Sequence, residues 1–313
     1  MSGFTGHALV VGNFGGPSDA EAASGLPIHG EAASRSWRTV RHTAAAGMAT
    51  LVMEVREPAM GLRVRRELAL YAGESVVHIS EQVANERSAD TYFQWVQHAT
   101  FGEPLLVQEF ATVTVPAVRA CTWPLGYEGK ALLADNKGFH WPNGPLKSGG
   151  TADLSRSFIR EGTGFVAAAQ IDVARTHGFV AVANTRLRLA AGYFFPRERF
   201  PWVTVWEENQ AREYSPWNGV TRARGLEFGT SPFPLGLADA VSHGPMFDTP
   251  TVARVGAKQT ISVNYEVFAA AMPEGWRAVS DVRLSDAGLE LIGAGGREAV
   301  RLGAASRSHG KGK

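Results

Sequence analysis

The sequence predicts an all-β protein, a large antiparallel β-sandwich with very few short helices. Apolar and polar residues alternate with a period of two through most of residues 37–291, as in LRVRRELALY at 62–71. Gly, Pro, Asn and charged turn residues interrupt this alternation at roughly the 8 to 12-residue spacing of sandwich strands. Helix signals bound only two short segments, at 18–21 and 235–243. We therefore expect fifteen or more strands, on the order of the number such spacing allows.

The whole body of the chain is predicted to form one domain. Its 313 residues are 44% hydrophobic and 10% aromatic, which is enough to bury a sizeable core. All-β folds often exceed the usual domain length, so residues 1–305 are assigned to one sandwich domain. The last stretch, 306–313 (SRSHGKGK), is basic and has no apolar residue, so we expect a disordered tail.

Composition argues against nucleic-acid and membrane partners. The formal charge is +1 and three cations lie in the tail, which leaves about −2 for the body, without the basic clusters of a nucleic-acid groove. No apolar run reaches the roughly 18 residues of a membrane span, and MSGFTGHALVV lacks a basic start. Cys121 is the single cysteine, and no CxxC or HExxH pattern offers a zinc site. We expect a cytoplasmic protein without metal.

The first candidate site element is the loop LPIHGEAASRSW at 26–37. It follows a short strand at 7–13 and a capping-box pattern from Ser18 to Glu21. The loop is rich in small residues and places His29, Glu31 and Arg35 close together before the next strand. A metal site at His29 and Glu31 is a weak alternative, because two ligands without a third are insufficient.

The second candidate is His98, which stands near the end of a strand, TYFQWVQHAT at 91–100. Strong alternation through 37–87 precedes it, with one buried and one solvent-facing side, as in antiparallel sheets. The turn FGEPLL follows, so the imidazole is expected near a rim of the sheet. A histidine in this setting is either structural or part of a binding site.

A long irregular stretch, 121–157, is rich in Trp, Gly, Pro and Asn. Loops of this length are commonly lids or binding loops. Within it, Trp141 could stack on a ligand or pack the loop onto the core. Strands resume at 164–173, 178–189, 193–195 and 200–206.

The polar and aromatic stretch 206–219 (WEENQAREYSPWNG) supplies a third set of candidates. Sugars expose flat C–H faces edged by hydroxyls, so their sites combine aromatic rings with carboxylates and amides. Trp206, Asn209 and Trp217 provide that mixture, together with Glu207.

Glu227 is the central candidate, in GLEFGTSPFPLG at 225–236. A carboxylate that ends a strand among Gly, Thr, Ser and Pro is held rigidly and faces an open cleft, a common position for catalytic groups. Taken alone it could equally be a solvated loop glutamate. The histidines His29 and His98 elsewhere in the chain favour the functional interpretation.

These three elements, in this order on an all-β chain, resemble the galactose mutarotase-like superfamily of aldose 1-epimerases and hexose-phosphate mutarotases. HGEAASRSW resembles the segment of the family's first histidine, and HATFG that of the second. GLEFGTSPFP is similar to the glutamate segment with its downstream proline. The resemblance covers most of the chain and implies the supersandwich fold, a small-molecule carbohydrate substrate and no cofactor.

The resemblance implies an isomerase that interconverts sugar anomers by acid/base ring opening. In that scheme Glu227 is the base, His98 the acid, and His29 and Arg35 position or polarise the substrate. Substrate contacts are expected from Trp206, Asn209, Trp217 and Trp141. Two alternatives stay open: a non-catalytic carbohydrate-binding protein, and a glycosidase or lyase that uses two carboxylates such as Glu207 and Glu227.

Overall fold

The computed structural model describes residues 6–286, 288–294 and 299–303. Twenty-one strands and two short helices lie within these ranges. In chain order they are β1 (Gly6–Gly12), α1 (Asp19–Ala23), β2 (Arg38–Ala45), β3 (Met48–Glu57), β4 (Leu62–Tyr71), β5 (Val76–Asn85), β6 (Thr91–Phe101), β7 (Ala111–Thr114), β8 (Ala117–Thr122), β9 (Gly138–His140), β10 (Asn143–Pro145), β11 (Thr151–Asp153), β12 (Thr163–Ile171), β13 (His177–Asn184), β14 (Leu189–Pro196), β15 (Trp202–Asn209), β16 (Arg222–Gly229), α2 (Leu237–His243), β17 (Ala253–Val255), β18 (Thr260–Ala271), β19 (Val279–Ser285), β20 (Gly288–Gly293) and β21 (Ala299–Gly303).

Two eight-stranded antiparallel sheets form a sandwich. The first sheet has the order β1-β6-β16-β15-β12-β8-β9, with β17 also paired to β6. The second sheet has the order β2-β3-β4-β5-β18-β14-β13-β7. A three-stranded sheet, β19-β20-β21, packs on the second sheet through its own apolar cluster. This confirms the predicted all-β sandwich.

The main core lies between the two large sheets. Phe228 of β16 stacks on Phe195 of β14 with ring centroids 4.3 Å apart, and both side chains are fully buried. Alternation along β16 therefore sends Leu226 and Phe228 into the core and Glu227 to the opposite face of the first sheet.

A buried polar cluster links strand β6 of the first sheet to the second sheet. Glu81 of β5 accepts hydrogen bonds from Arg66 (2.6 Å), from Gln97 (2.7 Å) and from the indole of Trp95 (3.0 Å). The Tyr265 hydroxyl donates to the same carboxylate at 2.8 Å. Because a buried charge is tolerated only when it is paired, this cluster fixes β6 against the second sheet.

The two helices agree with the predicted helical segments. Ser18 caps α1 and forms a capping box with Glu21, and α2 occupies most of the segment predicted at 235–243. Neither helix of the described chain has the length and apolar character needed to cross a membrane. The predicted tail, 306–313, lies outside the described residues, and the assignment of 1–305 to one domain stays a prediction.

Candidate functional site

A cavity of about 560 Å³ opens on the face of the first sheet that is turned away from the core. Neighbouring strands supply its floor. Glu227 of β16 pairs with Thr204 of β15. The register of β16 against β6, in which Phe228 pairs with Gln97, brings Glu227 beside His98. Strands far apart in the sequence thus place a carboxyl group and an imidazole side by side on one face of the sheet.

His98 and Glu227 form a direct buried pair. Nε2 of His98 lies 3.2 Å from Oε1 of Glu227, and the two side chains are 6% and 2% exposed. Nδ1 of His98 lies 3.2 Å from the hydroxyl of Thr100. His98 was expected near a rim and Glu227 at a strand end, but both lie within strands and at the cavity floor.

Burial sets the protonation of this pair. It raises the pKa of Glu227 well above its ordinary value and lowers the pKa of His98 to about 3. Both shifts favour uncharged groups, because the low-dielectric interior disfavours the ionised forms. The pair is therefore neutral overall and holds one proton that either Nε2 or Oε1 can carry, so its titration belongs to both groups.

Gly225 makes room for the Glu227 carboxylate. Residues 225 and 227 share a face of β16, and a Cβ at 225 would overlap Oε1 of Glu227. The glycine in GLEFG therefore lets the carboxylate lie flat along its own strand. No other residue type would leave that space.

His29 reaches the same cavity from the loop before β2. Its ring lies 5.6 Å from that of His98, edge to face. Two hydrogen bonds with Gly15 hold it: the His29 amide donates to the Gly15 carbonyl at 3.0 Å, and the Gly15 amide donates to Nδ1 at 3.2 Å. Because Nδ1 accepts, the imidazole proton lies on Nε2. Burial lowers the pKa of His29 to about 4.

Two buried glutamates anchor the His29 loop. Glu31 accepts hydrogen bonds from the Ala59 amide (2.9 Å) and from Arg35 (2.8 Å). Glu57 accepts from the Ala32 amide at 3.1 Å. Burial, and then the nearby charge of Glu31, raise the pKa of Glu57 well above its ordinary value. The loop is thus held rigidly.

Aromatic side chains form the cavity wall next to the pair. The Trp206 ring lies 6.1 Å from that of His98, and the Trp217 ring lies 5.7 Å from that of Trp206. The Trp206 indole donates to the Tyr127 hydroxyl at 2.8 Å, and Tyr127 donates to Glu208 at 2.8 Å. These bonds fix the ring planes.

Arg212 lies beyond this wall and was missed by the sequence analysis. Its guanidinium sits over the rings of Tyr127 and Trp217, 4.5 and 5.1 Å from their centroids. Nε donates to Glu128 at 2.9 Å, and Nη1 lies 3.6 Å from Glu208. Tyr127 and Arg212 come from two separate loops, so no local pattern joins them; only the aromatic content of each loop was a signal.

Three residues predicted to contact substrate do not line this cavity. Arg35 pairs with Glu31, 2.8 Å away, and is not among the residues that line the cavity. Asn209 belongs to β15, which extends beyond the predicted strand end at 206. Because side chains alternate along a strand, Asn209 faces away from Trp206, and it donates to the Arg160 carbonyl at 2.8 Å. Trp141 packs against the main core.

Glu207 also lies on the opposite face of β15 from the cavity. It accepts from Arg224 at 2.5 and 2.9 Å and from the Phe158 amide at 2.9 Å. Arg224 and Glu207 are both buried. Because the sheet separates Glu207 from Glu227, the two carboxylates cannot flank one glycosidic bond, and the geometry does not favour the two-carboxylate alternative.

Ligands for a metal ion are not gathered at this cavity. Glu31, the suggested partner of His29, is occupied by Arg35 and the Ala59 amide. In the part of the chain that the structure describes, no three His, Cys, Asp or Glu side chains are grouped so as to hold a metal ion.

Solved structures share this architecture. A galactose mutarotase-like protein from Clostridium acetobutylicum matches with a TM-score of 0.58 at 11% identity, over 85% of this chain and 79% of that one. Galactose 1-epimerase from Lactobacillus acidophilus gives 0.52 at 10% identity, over 79% and 70%. A Klebsiella pneumoniae protein, provisionally named an aldose 1-epimerase, gives 0.59 at 15% identity over 85% of this chain.

This chain spans 63% of the length of the Klebsiella protein. No protein-family model matches the sequence. A comparison with curated protein sequences likewise finds no match. The structural likeness confirms the predicted galactose mutarotase-like fold, and at these identities it leaves the activity to be argued from the cavity itself.

Proposed function

We propose that this protein is an aldose 1-epimerase-like isomerase that interconverts sugar anomers by acid/base ring opening. The observation that carries the proposal is the buried His98–Glu227 pair, 3.2 Å apart at the cavity floor. Mutarotation moves protons at two oxygens bonded to one carbon, so an acid and a base side by side can reach both. The named functions of the structural neighbours support this choice.

The two protonation states of the pair correspond to the states before and after ring opening. With the proton on His98, the Glu227 carboxylate takes the proton of the anomeric hydroxyl while the imidazolium gives its proton to the ring oxygen. The ring opens, and the pair is left as neutral His98 and protonated Glu227. After the aldehyde rotates, the same two transfers run in reverse and close the ring on the other face.

His29 is assigned to substrate positioning. Its ring lines the cavity 5.6 Å from that of His98, and with Nδ1 accepting from the Gly15 amide the ring proton lies on Nε2, the nitrogen that would donate to a substrate oxygen. Gly15 is constrained in turn, because a Cβ there would overlap the Pro234 carbonyl. Trp206 and Trp217 supply aromatic surface for the C–H face of the ring.

A non-catalytic carbohydrate-binding protein is the second candidate. The aromatic wall of Trp206 and Trp217 favours it, because such a wall binds a sugar face without any acid or base. The test that separates the two functions is exchange between α and β anomers, measured by NMR across free and phosphorylated sugars. Binding without exchange would select the second candidate.

Activity should extend further into acid than an ordinary histidine allows. The pKa of His98 is lowered to about 3 and that of His29 to about 4. Neither ring then gains a second proton near pH 6.5, so acidification should not reduce kcat/KM until the pH falls to about 4. On the alkaline side, exchange is lost as pH rises through the raised pKa of Glu227. A loss of activity on acidification that is centred near pH 6.5 would contradict this assignment.

Gly225→Ala should reduce exchange while the protein stays folded. The new Cβ would displace the Glu227 carboxylate, and a misplaced catalytic group costs about a hundredfold. The measurement is kcat/KM together with thermal unfolding. Gly138→Ala is the matched control, because a Cβ there meets nothing within 4 Å. Equal activity in both variants would refute the role given to Gly225.

A further inference from the structure

Apolar side chains form much of the surface where the cavity meets solvent, beside the exposed carboxylate of Glu128. Ile28, Leu125 and Tyr214 line it and are 47%, 72% and 54% exposed. Single exposed apolar residues are ordinary, but three around one opening form a patch that a ligand would cover. Ring contacts lead from His98 through Trp206 to Trp217, so the apolar surface runs from the pair outward.

The positive charge of Arg212, which lies beside this surface, is already compensated by carboxylates. Arg212 is the sole Arg or Lys among the described residues that line the cavity. It pairs with Glu128 at 2.9 Å and with Glu208 at 3.6 Å. Burial lowers the pKa of His29, so its imidazole is uncharged, and the His98–Glu227 pair is neutral overall, because a proton on His98 is balanced by the Glu227 carboxylate. A phosphate or carboxylate on a ligand would meet no uncompensated cation.

The polar groups along the wall are also committed to one another. No Asn, Gln, Asp or Ser is found among the described residues that line the cavity. The Thr204 hydroxyl donates to the Pro232 carbonyl at 2.8 Å, and Tyr214 lies 3.0 Å from Glu128. Tyr127 bridges Trp206 and Glu208. Sugar hydroxyls along this wall would leave water and find partners mainly by competing with these existing hydrogen bonds.

From these observations we infer that the substrate is an uncharged cyclic hemiacetal with an apolar body, such as a deoxygenated, O-alkylated or O-acylated sugar. The anomeric hydroxyl and ring oxygen face His98 and Glu227, and the capped or deoxygenated carbons lie on Trp206, Trp217 and Leu125. The inference deepens the proposed function and rests on it for the placement of the anomeric carbon. Both free polyhydroxy sugars and sugar phosphates are poor ligands.

The experiment compares three sugars that share the same anomeric chemistry. They are glucose, glucose phosphorylated at its primary hydroxyl, and tetra-O-methylglucose, in which only the anomeric hydroxyl is free. Exchange is measured by NMR and binding by quenching of tryptophan fluorescence. The methylated sugar should exceed glucose by about tenfold or more in kcat/KM and in affinity, and the phosphorylated sugar should rank last.

The two readouts separate this inference from the proposed function. If no sugar exchanges but the methylated sugar still binds at least about tenfold tighter than glucose, the substrate class stands and the isomerase proposal fails. If glucose or its phosphate is preferred in binding, the inference is overturned, whether or not exchange occurs.

Glu128→Gln tests the charge argument. It removes one of the two carboxylates that compensate Arg212, so the affinity for phosphorylated glucose relative to tetra-O-methylglucose should rise by about threefold or more. Glu213→Gln is the control, because Glu213 pairs with Lys130 at 2.6 Å and does not line the cavity. An unchanged ratio in Glu128→Gln would overturn the role given to Arg212.

Discussion

Glu227→Gln is expected to abolish anomer exchange and leave sugar binding largely intact. Glutamine keeps the shape of the side chain but cannot accept the proton of the anomeric hydroxyl. Losing a positioned base should reduce kcat about 10²- to 10⁴-fold, or about 3 to 5 kcal/mol of barrier. Exchange NMR measures the rate, and tryptophan fluorescence measures binding.

The stability of this variant should change little. The carboxyl group is buried and uncharged in its favoured state, and the glutamine amide can donate to Nε2 of His98 in place of the acid proton. Because glutamine keeps the volume and a hydrogen bond to His98, a loss of less than about 1 kcal/mol in the free energy of unfolding is expected. Glu161→Gln is the matched control, because it makes the same chemical change at an exposed position. Retention of more than about a tenth of the wild-type rate would show that Glu227 is not the base.

Arg224→Met should lower the free energy of unfolding more than any other single substitution proposed. Arg224 is fully buried and donates to Glu207, to the Leu154 carbonyl at 2.8 Å and to the Arg156 carbonyl at 2.9 Å. Methionine fills the volume but leaves the Glu207 charge buried without its partner. Breaking such a pair costs about 3 to 5 kcal/mol, which urea unfolding monitored by fluorescence will measure.

Arg222→Met is the matched control for this variant. Arg222 lies two residues away in β16, is 40% exposed and pairs with Glu161 at 3.8 Å, so its removal should cost less than about 1 kcal/mol. Adding Glu207→Met to Arg224→Met should recover part of the loss, since no charge is then left buried alone. A loss for Arg224→Met as small as that of the control would contradict this account.

The fold was predictable because strand alternation is a local property. Each strand carries its own period-two pattern, and in β16 that pattern places Leu226 and Phe228 in the core and Glu227 opposite. The short helix segments were also visible through caps and turns, as at Ser18 and Glu21.

The site was predictable only in part. His29 was singled out in a loop of small residues, His98 near a strand end and Glu227 in a segment rich in glycine and proline, and all three line one cavity. Asn209 was misassigned because the real length of β15 decides which face it takes. Arg212 was missed because Glu128 and the Tyr127 ring come from a distant segment and meet it only in the folded chain, although Glu208 lies just four residues before it.

The most direct test of the central claim is whether the wild-type protein accelerates the interconversion of α and β sugar anomers. Magnetisation-transfer NMR on an equilibrated α/β mixture measures the interconversion rate at several protein concentrations, across free, methylated and phosphorylated sugars. The account predicts a rate that rises in proportion to protein concentration above the spontaneous rate, and that Glu227→Gln returns to the spontaneous value. A rate independent of wild-type protein for every sugar, with binding still detected, would contradict it and leave a carbohydrate-binding protein.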